Sequence, residues 1–121
     1  MTDGLMKDAE AGKKGQAVKM DAGRWTLAAT TDVPGGILIA DVEAGTDQPC
    51  SVFLIRPGDL FHVKYTGTPA AGFVGGANAV ALAADGMSVD SATVAGGAVA
   101  VLRVNTTNQT AAVYFKLRQF S

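Results

Sequence analysis

The chain has 121 residues, 48% of them hydrophobic, with ten basic and eleven acidic side chains and a formal net charge of -1. That length supports one domain whose core needs neither a disulfide nor a metal. The near-neutral balance argues against nucleic acid or an anionic membrane as a partner, because both call for a clustered basic face.

Residues 1–15 are expected to form a flexible N-terminal arm, and residues 16–121 a single β-domain. Met1–Lys14 (MTDGLMKDAEAGKK) is charged and has no apolar stripe, with Leu5 and Met6 its only large apolar groups after the initiator. Such a segment stays mobile unless a partner orders it. It also lacks a basic start followed by an apolar run, so no secretory signal is expected and synthesis is placed in a reducing cytoplasm.

From Gln16 onward the chain is a series of short apolar runs separated by turn residues, the pattern of an all-β barrel or sandwich. Gln16–Met20 and Arg24–Ala28 flank Asp21-Ala22-Gly23, a tight hairpin with Gly23 at positive φ. Trp25 shares a face with Leu27, and core packing or an interface both suit it. Ile37–Val42 is apolar on both faces except at Asp41, which predicts a central strand covered on both sides. The single cysteine, Cys50, excludes an intrachain disulfide and a cysteine-based metal centre; it opens the next run and suits a small buried thiol.

Val52–Ile55 continues that run as a second buried strand, and Arg56-Pro57-Gly58-Asp59 suits a type II turn. Leu60–Tyr65 alternates, placing Phe61, Val63 and Tyr65 on a dry face and Leu60, His62 and Lys64 on a wet one. Thr66–Ala84 is free of charge and long enough to span a membrane, but its proline and glycines exclude a spanning helix. Gly67–Gly76 is expected to be a surface loop with Phe73 and Val74 as isolated apolar groups. Ala79–Ala83 and Met87–Val89 flank Ala84-Asp85-Gly86 as a hairpin, in preference to a short Ala-rich helix. Ala98–Asn105 and Thr110–Arg118 form the closing hairpin across Thr106–Gln109, with Ala111, Val113, Phe115 and Leu117 on one face of the last strand.

No catalytic constellation emerges. The one histidine and one cysteine sit in strand-like runs, and Ser51, Ser88 and Ser91 lie outside any strand-to-helix elbow. Pro57-Gly58-Asp59-Leu60-Phe61-His62-Val63 is similar to the second motif of the cupin barrels. Cupin metal sites draw further histidines from an earlier motif, and His62 stands alone. The glycine pairs at 35–36, 75–76 and 96–97 lack the helix start and Lys-Ser/Thr pair of a phosphate loop. The basic residues alternate with acids along the chain and suit a solvated surface. No cofactor, metal or enzymatic activity is expected.

GQAVKMDAGRWTLAATTDVPGGILIADVEAG, the Cys50–Tyr65 strand pair, and the GDLFHV…GGANAVALAADGMSV…AVAVLRV pattern resemble the head decoration (capsid cement) proteins of tailed bacteriophages. The resemblance covers about three-quarters of the chain and rests on strand and turn placement. It implies a small β-barrel or sandwich that binds the outside of an expanded capsid as a homotrimer and clamps neighbouring major capsid subunits, with no nucleic-acid or membrane partner. It also implies an N-terminal arm that orders on the capsid. The contact candidates are Leu5, Met6, Trp25, Phe73 and Val74. A tail-tube or fibre-base module and a small ligand-binding, cupin-like β-barrel remain as alternatives.

Overall fold

The computed structural model describes residues 2–75 and 79–120, and the chain is mainly β. Its strands are β1 (Thr2–Leu5), β2 (Ala17–Asp21), β3 (Arg24–Leu27), β4 (Gly36–Leu38) and β5 (Pro49–Leu54), followed by β6 (Phe61–Thr66), β7 (Ser88–Asp90), β8 (Val99–Asn105) and β9 (Thr110–Phe115). The first five form one sheet in the order β1-β5-β4-β2-β3, and the last four a second in the order β7-β6-β9-β8. Every pairing is antiparallel except β6 with β7. Among the described residues there is no helix, and so none long and apolar enough to cross a membrane.

Local chemistry explains the two clearest hairpins. Between β2 and β3 only Ala22 and Gly23 turn the chain, at φ of 52° and 81°. Two consecutive positive φ values make the type I′ turn, whose twist matches that of the flanking strands. Between β8 and β9, the Asn105 carboxamide oxygen accepts hydrogen bonds from the Thr107 and Asn108 N–H groups, at 3.0 and 3.2 Å. An asparagine that bonds the backbone two and three residues on stabilises a turn without help from the rest of the fold.

The sheets do not close into a barrel; they form a β-sandwich. Each nevertheless ties its own edges together. Met6 bridges Trp25, joining the β1 and β3 sides of the first sheet, while Leu82 bridges Val89 and Val80 bridges Val99, joining β7 to β8. Little strand edge is left free to pair with another chain, which is how small β-proteins avoid edge-to-edge aggregation.

Two apolar cores result, because neighbouring residues on a strand point to opposite faces. Ala17 and Ile37 join the larger core with Tyr65, Phe73, Val99, Val101, Val113 and Phe115, whereas Val18 and Leu38 join a smaller one with Met6, Trp25, Val42, Cys50 and Val52. The first sheet is therefore covered on both faces, as expected for its central strand. That strand is shorter than the sequence suggests: β4 ends at Leu38, and Val42 pairs instead with Gly12.

The N-terminal segment departs from the expected free arm. Residues 2–5 pair with β5, the Met6 side chain is fully buried, and Gly12 exchanges two backbone hydrogen bonds with Val42, at 2.9 and 2.8 Å. The Met6 thioether belongs to the smaller core, where Gly4 leaves room for the Trp25 ring and Gly12 for Leu38 and the Met6 methyl. A single large side chain has no periodicity, so its burial left no pattern in the sequence. Polar groups hold the segment as well. Glu10 accepts from the Thr26 hydroxyl at 2.7 Å and the Leu27 N–H at 3.0 Å, and Arg24 reaches both Asp8 and Asp47.

Candidate interaction face

Three of the five contact candidates are core residues. Met6, Trp25 and Phe73 are buried, so they have no surface to offer a partner. Phe73 lies in the loop assigned from its small residues, yet it stacks edge-on against Tyr65 with ring centroids 5.4 Å apart. Leu5 and Val74 are exposed but belong to different sheets, Leu5 opposite Pro49 and Val74 beside Val101, so the five do not form one patch.

A different surface gathers the exposed chemistry. On β6 the alternation holds, with Phe61, Val63 and Tyr65 turned inward and His62 and Lys64 exposed. Residues paired across antiparallel strands share a face. His62 lies opposite Ala112, which lies opposite Arg103; Lys64 lies opposite Thr110, which lies opposite Asn105. The outer surface of the second sheet therefore carries parallel rows of these residues.

A β-bulge enlarges this face. The register of β8 on β9 slips between Val101 and Arg103, so Leu102 is an extra residue and both Leu102 and Arg103 point outward. Bulges re-aim side chains in this way at functional surfaces. Leu102, 45% exposed, and Leu60, 53% exposed, join Pro57, Tyr114, Lys116 and Arg118 around a wide, shallow hollow. Beside it, a notch of about 250 Å³ is floored by Ala112 and Thr110 and walled by His62, Arg103 and Asn105.

Charge divides the same way. Eight acidic and five basic residues precede residue 55, and three acidic and five basic follow it. No acidic residue occurs on β6, β8 or β9. Lys64 and Arg103 thus sit on strands that carry no acid, although Asp85 borders His62 and Lys64 in an adjoining hollow. The ion pairs among the described residues use Lys19, Arg24 and Arg56, none of them on these three strands.

Other features offer less. An apolar cavity of about 150 Å³ lies among Ile37, Phe61, Val63, Leu82, Val113 and Phe115, beneath His62. Its walls carry few polar groups to orient a ligand. Among the described residues no group of three or more His, Cys, Asp or Glu side chains could hold a metal ion. Burial, helped by the charge of Asp3, pushes the Cys50 thiol above its ordinary pKa. That favours the thiol over the nucleophilic thiolate.

The alternation of β6 was legible in the sequence. The bulge and the rows of residues it widens were not, since each needs the strand pairing to be known. In comparisons with known proteins, no family model matches this chain, and no curated protein matches it.

Proposed function

We propose that this chain is a structural virion protein that binds the outer surface of an expanded bacteriophage capsid as a homotrimer, stabilising it by clamping neighbouring major capsid subunits. One observation carries the reading: a sandwich with tied sheet edges presents Leu60, Leu102 and Tyr114 together on one outer face, with Lys116 and Arg118 beside them. Exposed apolar groups gathered on one surface with a polar rim mark a site of protein contact. The reading also rests on the resemblance of the strand and turn pattern to capsid cement proteins. The protein works by burying surface between subunits, without substrate turnover.

The test is co-sedimentation. Purified protein is mixed with expanded heads and with unexpanded precursor heads of the parent phage, both lacking this product. Saturable binding to expanded heads alone supports the reading. Binding to neither, or a stable association with tails instead, contradicts it.

A further inference from the structure

We propose that the outer face of β6, β9 and β8 docks a protein segment carrying a carboxylate beside an apolar side chain. The carboxylate enters the notch over Ala112 between His62 and Arg103, and the apolar group covers Leu60, Leu102 and Tyr114. The inference rests on the capsid reading only in naming the source of that segment, a major capsid subunit.

The face itself specifies this occupant. Its notch has a small floor, Ala112, with Arg103 and His62 directly across from each other on the flanking strands and Lys64 in the next row. A guanidinium at the wall of a concave site suits a carboxylate, which it binds through parallel hydrogen bonds. Beyond the notch, Leu60, Leu102 and Tyr114 provide apolar area, with Lys116 and Arg118 at the far side. A partner with an acidic residue at the notch and an apolar residue over the hollow meets both parts.

Two competing occupants fit less well. A nucleic acid would lay phosphates along the face, and the exposed leucines at its centre would lose solvent without gaining apolar cover. A second copy of this chain has few carboxylates to lend. Nine of its eleven acidic residues accept hydrogen bonds within the chain: Asp3 from Ser51, Asp8 and Asp47 from Arg24, Glu10 from Thr26, Asp32 from Ala29, Asp41 from Lys14, Asp59 from Arg56, and Asp85 and Asp90 within their turns. Only Asp21 and Glu43 lie outside this set.

The test titrates the isotope-labelled full chain with a synthetic peptide alternating glutamate and leucine, with its glutamine counterpart, and with duplex DNA, following amide shifts. The glutamate peptide should shift His62, Arg103, Ala112 and Tyr114 saturably, and the glutamine peptide should bind at least about tenfold more weakly. A Lys64→Glu/Arg103→Glu double variant, altered only at exposed positions, should lose at least about tenfold in affinity, while Lys13→Glu/Lys14→Glu retains it. Equal binding of the two peptides, shifts centred elsewhere, no saturable shift, tighter binding of DNA, or self-association through these amides would overturn the proposal.

Head binding separates the two claims. If the parent protein binds expanded heads and the Lys64→Glu/Arg103→Glu variant binds equally well, this face is not the docking surface, although the capsid reading survives. If the peptide docks as described and the protein binds no head, the docking chemistry stands and the capsid reading fails.

Discussion

Gln119 fastens the C-terminal end of the chain to Met20. Its carboxamide oxygen accepts from the Met20 N–H at 2.6 Å, and its Nε2 donates to the Met20 carbonyl at 3.1 Å, across 99 residues of sequence. One side chain thus supplies the donor and acceptor that a neighbouring strand would give, at a point on β2 that β4, paired only to Ala17 and Val18, does not reach. The Gln119 N–H also donates to the Pro34 carbonyl, and Phe120 stacks edge-on against Trp25 at 6.1 Å. The end of the second sheet is thereby strapped across the first.

Removing that strap should weaken the fold modestly. Gln119→Ala loses two hydrogen bonds in an exposed setting and should cost about 1 kcal/mol. Deleting residues 119–121 should cost more, because the Phe120 contact goes too. A urea titration should show a lower midpoint at an unchanged slope.

The N-terminal segment is a structural element, so its loss should affect folding first. Met6→Ala leaves a cavity beside Trp25 and Leu38 and should destabilise by about 2–5 kcal/mol. Deleting residues 2–14 also strips the outer edge of β5 and the cover of the smaller core. That variant should lose its cooperative thermal transition or melt far below the full chain. An unchanged melting temperature would mean that the segment is dispensable.

Gly97 marks the tightest backbone approach. A Cβ placed there would lie 2.1 Å from the Val80 carbonyl oxygen, inside the bridge that joins Val80 to Val99. Backbone must move to admit it. Gly97→Ala should cost about 3 kcal/mol, by the scale of overpacked cores. Gly15→Ala meets no neighbour within 4 Å, though its φ of +89° brings conformational strain of its own. Calorimetry on the two variants would separate crowding from backbone strain.

Cys50 should impose a pH dependence with a definite sign. Burial raises the folded thiol's pKa, so as pH climbs the unfolded chain releases its proton first. The thiol's contribution is level below the unfolded pKa, about 8.5. It then declines until pH passes the folded pKa. The stability difference between the parent chain and Cys50→Ala should shrink over that alkaline window. Alkylation of Cys50 at pH 8 should be slow in the native protein and fast in denaturant.

Much of this architecture was legible in the sequence because it is written locally. The Ala22-Gly23 turn, the Asn105–Thr110 hairpin and the wet–dry alternation of Phe61–Tyr65 each follow from a few adjacent residues. The features that shape the candidate face and the smaller core depend on distant ones. Leu102 becomes an outward residue only because β8 slips on β9, and Phe73 enters the core only because Tyr65 is there to receive it. Met6 looked solvent-exposed because the residues that bury it, Trp25 and Leu38, are separated from it by 19 and 32 positions. Three of the five expected contact candidates, Met6, Trp25 and Phe73, were therefore large apolar residues that the fold had already used.

Electron microscopy of virions produced with and without this product tests the central claim most directly. Virions with the product should carry additional density on the capsid exterior at three-fold positions, with the β6–β9–β8 face turned toward the capsid subunits, and those without it should lack that density and lose DNA more readily on heating. Identical capsid surfaces in the two preparations, or density confined to the tail, would contradict it.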